Sequence, residues 1–267
     1  MVGHIIFLGA FYTVVTVVLA TLAVSTIRAW LHFRARRADA ICWKSCFEEL
    51  PAGERVCRHV FTGEFKDRVC DRAFDCRECQ THAGLVARRP EAAHTQLDVG
   101  GILGLEHPAG RFYHRGHTWV HPEPDGTATI GLDGLAARLV ANPDAVEYPA
   151  PGAHLRTNGA AWYMRKRGTR VRILSPVDGQ VVAVGGVGED WYLKVKPDDA
   201  DLDTRHLLCG AEVRPWLTRE WDRLRQAIAP EVELDTLADG GVPVSDLAAA
   251  CPEADWDSVC AEMFLQL

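Results

Sequence analysis

Six of the nine cysteines lie between residues 42 and 79, at spacings that suit metal binding or redox chemistry. The candidate metal ligands are Cys57, Cys70, Cys76 and Cys79, with His59 and His82 nearby. Four thiolates satisfy either a tetrahedral zinc ion or an iron–sulfur cluster, and a CxxC pair such as Cys76 and Cys79 chelates well. A zinc ribbon normally has two such pairs, whereas this segment has one. Buried or reducible thiols without a metal are therefore the alternative.

A second chemically distinctive stretch is MRKRGTRVRILSPVDG, residues 164–179. Its cations, which we predict to form a partner-docking surface, are Arg165, Lys166, Arg167, Arg170 and Arg172. Such a surface would attract an acidic protein or anionic lipid headgroups. Residues 231–267 carry nine Asp and Glu and no Lys or Arg, so the chain itself offers an acidic partner. An ordinary solvated turn is the equally simple interpretation.

Near the amino terminus the sequence predicts a long apolar helix ahead of the cysteines. Residues 5–27 contain no charged side chain. As a helix they match the roughly 30 Å hydrocarbon core of a bilayer, so they predict one transmembrane span. Positive charge follows the apolar run instead of preceding it, which argues against a cleaved signal peptide.

The same charges predict the orientation. Arg28, Arg34, Arg36 and Arg37 follow the span. The positive-inside rule then places the amino terminus outside the inner (cytoplasmic) membrane and the rest of the chain in the cytoplasm. Disulfides rarely persist in that reducing compartment, which favours metal or redox roles for the cysteines.

Composition and motifs narrow the function classes. A net charge of −7, with no basic domain, argues against nucleic-acid binding. No nucleophile elbow, phosphate-binding loop or dinucleotide turn is visible, so we expect no catalytic residues, no small-molecule substrate and no enzyme.

Between residues 112 and 197 the sequence changes to short alternating apolar runs separated by DG, PG and NG pairs, a texture typical of a sheet-rich sandwich or barrel. Residues 211–228 then place Leu217, Trp221, Leu224 and Ile228 on one face of a helix.

The motifs in this region resemble a known family. FYHRGHTWVHPEPDGTATIGLDGLAARL (112–139), PAPGAHLRTNG (149–159), SPVDGQVV (175–182) and GEDWYLKVKPDD (188–199) follow one another in the order found in the glycine cleavage system H-protein. The resemblance implies a mainly β barrel-sandwich hybrid of the lipoyl-domain type, with flanking helices. It also implies a lipoylated lysine at the tip of a hairpin. The last four cysteines of the module resemble a segment that precedes such domains in some bacterial proteins.

In the family the lipoyl lysine stands eight residues before the proline of the SPVSG motif. Counting back from Pro176 gives Gly168, which has no amine to carry lipoate. Lys166 lies two residues away, a shift of about 6.6 Å along a strand, which makes it a poor substitute. We therefore expect no lipoate and treat Gly168 as the vacated position.

These observations divide the chain into six segments. They are a transmembrane helix (1–30), a juxtamembrane helix with a cysteine-rich module (31–95), a linker (96–110), an H-protein-like barrel (111–200), its carboxy-terminal helix (201–230) and an acidic carboxy-terminal segment (231–267).

Three functional hypotheses result. The leading one is a non-catalytic, membrane-anchored scaffold or accessory subunit of a larger membrane complex. Its partners would be integral membrane subunits and the bilayer. Respiratory or photosynthetic electron transfer is the class of complex that would suit a cysteine module beside the membrane. The alternatives are a redox or metal-sensing protein built on the four cysteines and an atypical lipoyl carrier that uses Lys166.

Overall fold

The computed structural model describes residues 2–87, 104–105, 107–185, 189–199, 201–228, 238–239 and 242–266. Most of the predicted linker, 96–110, and part of the acidic segment, including 231–237, lie outside the described residues. The chain forms two compact units, Met1–Cys42 and Trp43–Leu267.

The first unit belongs to one long helix, α1 (Val2–Glu49), which continues into the second unit. Within it, Leu8–Leu31 is long and apolar enough to cross a membrane. All of its side chains are exposed, including those of Phe11, Leu19 and Leu22. The threonines of this stretch hydrogen-bond to the preceding turn, as Thr13 Oγ1 does to the Gly9 carbonyl at 2.8 Å. Their polar groups are therefore satisfied within the helix.

The second unit is a sheet-rich domain with flanking helices. Its helices are α2 (Arg58–Phe61), α3 (Gln80–Val86), α4 (Gly134–Leu139), α5 (Val213–Ile228), α6 (Leu247–Ala250) and α7 (Trp256–Met263). Its strands are β1 (Phe112–Tyr113), β2 (Thr118–Pro122), β3 (Ala128–Leu132), β4 (Ala145–Glu147), β5 (His154–Leu155), β6 (Ala160–Lys166), β7 (Thr169–Leu174), β8 (Gly179–Val184), β9 (Trp191–Pro197), β10 (Ala238–Asp239) and β11 (Val242–Pro243). Of these, β10 and β11 form a separate pair.

Two larger antiparallel sheets make up the sheet domain, which we define as residues 112–199. The order of one sheet is β1-β2-β3-β9-β8-β5 and that of the other is β4-β6-β7. One cluster of buried apolar side chains includes members of both sheets, such as Ile130 and Met164. Trp162 of β6 also stacks on Tyr192 of β9, with ring centroids 5.1 Å apart.

The helices close the core of this domain. Asp133 caps α4 by accepting hydrogen bonds from the backbone N–H groups of Leu135 and Ala136. Helix α5 buries Leu217, Trp221, Leu224 and Ile228, as its helical period predicts.

A buried chain of charges connects the sheet domain to α5. His117 Nδ1 lies 2.8 Å from Asp133 Oδ2, and its Nε2 lies 3.7 Å from Glu220 Oε2. Trp216 stacks on the His117 ring at 5.3 Å. Burial alone would lower the pKa of His117, but the two carboxylates outweigh it and raise the pKa to about 9. The imidazolium is therefore the form that the fold stabilises.

This arrangement predicts a pH-dependent stability. Because the folded pKa of His117 is raised, its contribution is complete below the unfolded-state value of about 6.5 and disappears as the pH rises through about 9. We expect the free energy of unfolding of the full chain in detergent, measured with urea, to fall by ~1–3 kcal/mol over this interval.

A pair of variants distinguishes the contribution of His117 to this pH dependence from that of other titrating groups. His117→Gln should abolish this part of the pH dependence. His121→Gln should retain it, because among the described residues His121 bonds to the Gly110 carbonyl, at 2.9 Å, and to no carboxylate. An unchanged slope in His117→Gln would show that His117 is not the group responsible.

Candidate functional site

The position assigned to the lipoyl lysine is the tip of the β6–β7 hairpin. Lys166 pairs with Thr169 across the hairpin, which leaves Arg167 and Gly168 as the two turn residues. Their φ angles are +52° and +87°. Two consecutive positive φ values are typical of a type I′ hairpin turn, in which the second position favours glycine. A Cβ on Gly168 would meet no atom within 4 Å, so the turn leaves open space at the position that the family resemblance assigns to the modified side chain.

The nearest amine points away from this open space. Lys166 is 9% exposed, and its Nζ lies 2.9 Å from Asp246 Oδ2. The same Nζ donates to the Ala141 carbonyl and lies 3.4 Å from the carbonyl of Asn142. Burial alone would raise the pKa of Asp246, but hydrogen bonds from Lys166, Ala249 and Asn142 lower it. The amine of Lys166 is thus enclosed by the chain.

The carboxy-terminal residues cover one side of the hairpin. Arg167 lies 3.4 Å from the Ala248 carbonyl and 3.3 Å from the Pro252 carbonyl. Thr169 Oγ1 donates to Asp257 at 2.5 Å. The backbone of Arg172 exchanges two hydrogen bonds with the Gln266 amide, at 2.9 and 3.0 Å. We call residues 244–266, which supply these contacts, the C-terminal cover.

The cover is part of the folded core. Trp256, Val259, Met263 and Phe264 are all buried in the same cluster as the sheet residues. Asp246 caps α6 through the Ala249 N–H at 3.0 Å. The cover therefore packs on the hairpin, and its acidic residues Asp246 and Asp257 supply two of the contacts.

The opposite side of the hairpin exposes two arginines. The side chains of Arg165 and Arg170 are 55% and 46% exposed, and both bind Glu147, at 2.8 and 2.7 Å. Hydrogen bonds from Arg170 and Arg165 lower the pKa of Glu147 to about 2. Arg170 also lies over the Tyr163 ring, 3.5 Å from its centroid. Together with Arg167, which is also exposed at the tip, this pair forms the accessible part of the predicted docking surface.

The four candidate cysteine ligands line a single pocket. Cys57, Cys70, Cys76 and Cys79 share it with His59 and His82. Among the residues that the structure describes, no three His, Cys, Asp or Glu side chains are already grouped to hold a metal ion. Burial raises the pKa of Cys70 and raises that of Cys76 to about 11. The structure thus brings the predicted ligands to one place without arranging them around a common point.

Several residues of these sites are not apparent from the sequence. Asp246 and Glu147 act as partners of the hairpin, yet lie 80 and 18 residues from their cations Lys166 and Arg165. The buried Arg58 and Arg115 also line the cysteine pocket. Only Asp246 carries a sequence signal, because an aspartate directly before the apolar run LAAA is a typical helix cap.

The two sides of the hairpin provide a matched pair of variants. Lys166→Ala should lower the free energy of unfolding by ~1–3 kcal/mol, because it leaves buried acceptors unpaired. Arg165→Ala, on the exposed side, should cost about 0–1 kcal/mol. Urea unfolding of the full chain in detergent measures both. Equal costs would contradict the enclosed position of the Lys166 amine.

Comparison with known proteins finds relatives of about a third of this chain. The glycine cleavage system H protein of Saccharophagus degradans is 33% identical over 102 residues, which cover 33% of this chain and 78% of that protein. The corresponding protein of Neisseria meningitidis serogroup C is 31% identical over 110 residues, covering 36% of this chain and 86% of the relative.

A crystal structure of a glycine cleavage system H protein from Mycobacterium marinum matches with a TM-score of 0.35 and 20% identity, over 43% of this chain and 99% of that chain. No family model matches the sequence. Through about a third of its length, the chain belongs to the glycine cleavage system H protein family.

Proposed function

We propose that this protein is a non-catalytic, membrane-anchored accessory subunit whose H-protein-like domain acts as a scaffold in place of a carrier. One observation carries the proposal. The hairpin position at which the family resemblance places the lipoyl lysine is Gly168, and the neighbouring amine of Lys166 is enclosed by Asp246 and two loop carbonyls. A swinging arm needs an exposed primary amine, and this hairpin offers none at its tip.

The proposal also covers the fold of the domain, the orientation of the chain in the membrane and the class of its host. The domain adopts the barrel-sandwich hybrid of lipoyl domains. Leu8–Leu31 crosses the inner membrane with the amino terminus outside, and the sheet domain lies in the cytoplasm. The host is a membrane complex, with respiratory or photosynthetic electron transfer as the class that suits a cysteine module close to the bilayer.

The contact with the host is assigned to the exposed side of the hairpin. Lys166 and Arg172 are largely covered by the chain, whereas Arg165 and Arg170 extend into solvent around Glu147. Two cations around one carboxylate leave a net positive charge. We therefore assign the docking partner as an acidic protein surface.

The first test concerns the arm. The full chain, co-expressed with a lipoate-attaching enzyme and supplied with lipoate, should show no lipoyl addition by intact-mass spectrometry. The reason is that Lys166 is buried and Gly168 has no side chain. The Neisseria meningitidis H protein serves as the control substrate in the same cells. A lipoyl adduct on Lys166 would replace this proposal with the atypical carrier.

The second test concerns the host. Extraction of the full chain from its native membrane in mild detergent should recover at least one integral membrane protein at constant stoichiometry. Arg165→Ala with Arg170→Ala should weaken the association, and added salt should weaken that of the unmodified chain, because exposed ion pairs are screened.

A matched double variant controls for the loss of charge. Lys196→Ala with Arg214→Ala removes two exposed cations that lie outside the hairpin and should leave the association intact. A protein that migrates alone would overturn the accessory-subunit proposal. Loss of binding to anionic vesicles, with protein association unchanged, would reassign the arginines to lipid.

A further inference from the structure

The cysteine pocket lies where a small module meets the sheet domain. We define the cysteine module as residues 51–87. Module residues form most of the lining, including the four cysteines, while Arg115, His206 and Leu208 contribute from outside it. The space, including its open mouth, is about 440 Å³.

The backbone of the module brings distant cysteines together. Val56 pairs antiparallel with Val69. On either side of this bridge, Cys57 N–H donates to the Arg68 carbonyl at 2.8 Å and Cys70 N–H donates to the Arg55 carbonyl at 2.5 Å. Cys57 and Cys70, which have twelve residues between them, thereby become neighbours across a short ladder.

A sharp turn after Cys70 then brings Cys76 and Cys79 to the same pocket. Ala73 and Phe74, between Cys70 and Cys76, have φ angles of +51° and +59°. Residues with a Cβ rarely adopt this left-handed conformation, and two in succession occur where surrounding contacts enforce it. Cys79 N–H then closes a tight turn on the Cys76 carbonyl at 3.2 Å.

Little apolar packing supports this strained segment. Helix α2 has 4 residues, and α3 has 7 with none of them buried. Phe74 is the only member of the module that is buried in the small core cluster of Trp43, Phe47, Leu50, Leu174 and Leu265, among the residues described. Modules with so small a core commonly depend on disulfides or a metal, and all four pocket cysteines are free thiols.

The charge around the pocket is unusual for an apolar interior. Arg58 and Arg115 are 7% and 8% exposed. Glu212 neutralises Arg58 through both carboxylate oxygens. Arg115 instead donates to the Val56 carbonyl at 2.6 Å and lies between the rings of Phe61 and Phe74, 4.6 Å from each centroid. The buried carboxylate of Glu220 attracts Arg115, but no carboxylate in the described part of the chain forms a salt bridge with it. A buried cation therefore lines the pocket of the thiols without an ion-pair contact.

We infer that Cys57, Cys70, Cys76 and Cys79 bind one zinc ion as thiolates, and that Arg115 balances part of the resulting charge. The four thiols release four protons to solvent as four sulfur–zinc bonds form, which leaves a centre of charge −2. Because the side chains are not yet grouped around a point, binding draws the sulfurs inward by side-chain rotation. The ion then joins both strands of the ladder to the turn and to a cation of the sheet domain.

Metal analysis of the full chain tests the ligands. Protein purified in detergent from cells supplied with zinc should contain one zinc per chain and should show no visible absorption. Cys76→Ser should lose most of the zinc. Cys42→Ser, an exposed cysteine outside the pocket, should retain it. Protein that binds no metal overturns the inference, and iron with visible absorption overturns the assignment to zinc.

A second pair of variants keeps the test decisive even if Cys76→Ser fails to fold. In competition with a chelator, Arg115→Met should weaken zinc affinity by roughly 10–100-fold, as the loss of an outer-sphere partner typically does. Arg115→Lys keeps the charge and should recover part of the affinity. An affinity unchanged in Arg115→Met would overturn the charge-balancing role. Neither measurement depends on lipoylation or on a host complex.

Discussion

The buried amine of Lys166 is the contact on which the arrangement of the hairpin depends. It lies between the carboxylate of Asp246 and the loop carbonyls of Ala141 and Asn142, so three separate parts of the chain meet at one charge. A buried lysine is costly unless all of its hydrogen bonds are made, and here each partner also has a further role. Asp246 caps α6, which begins the C-terminal cover, and the loop of Ala141 precedes β4 on the edge of the same sheet. The amine of Lys166, close to the position at which the family resemblance places the lipoyl lysine, thus has structural partners.

A second buried system of charges surrounds His117. His117 joins the α4 cap Asp133 to Glu220 of α5, and Glu220 also binds Arg223. Arg223 reaches Glu54 at 3.0 Å and Glu262 at 3.6 Å. The beginning of the cysteine module, the sheet domain and the cover are thus connected by alternating charges within one compact unit.

Both systems support the same functional conclusion. A carrier must leave the tip of its hairpin free to enter partner active sites. Here the cover packs on one side of the hairpin, and the exposed residues Arg165, Arg167 and Arg170 present cations but no amine. Such a surface fits the proposed scaffold better than it fits a carrier. Leu8–Leu31 has the length and composition to cross a membrane.

Local patterns in the sequence determined much of this protein. The 23 uncharged residues from 5 to 27 predict a helix that can cross a membrane, and alternation and turn pairs predict strands. The family resemblance, counted from Pro176, predicts that Gly168 stands where the family has its lipoyl lysine. The hairpin turn agrees with that spacing, because glycine accepts the φ of +87° found there. These properties depend on neighbours within a few residues, so they can be recognised without coordinates.

The partners of the charged side chains were decided only by tertiary structure. Lys166 meets Asp246 across 80 residues, and Arg58 meets Glu212 across 154. The sequence shows that a cation and an acidic segment exist, but many pairings satisfy the same composition. Packing of the apolar cover on the sheets selects one pairing, because burial makes every unpaired charge expensive. The same reason explains why the cysteine spacing indicated a cluster, while the buried Arg115 beside it appears only in the folded chain.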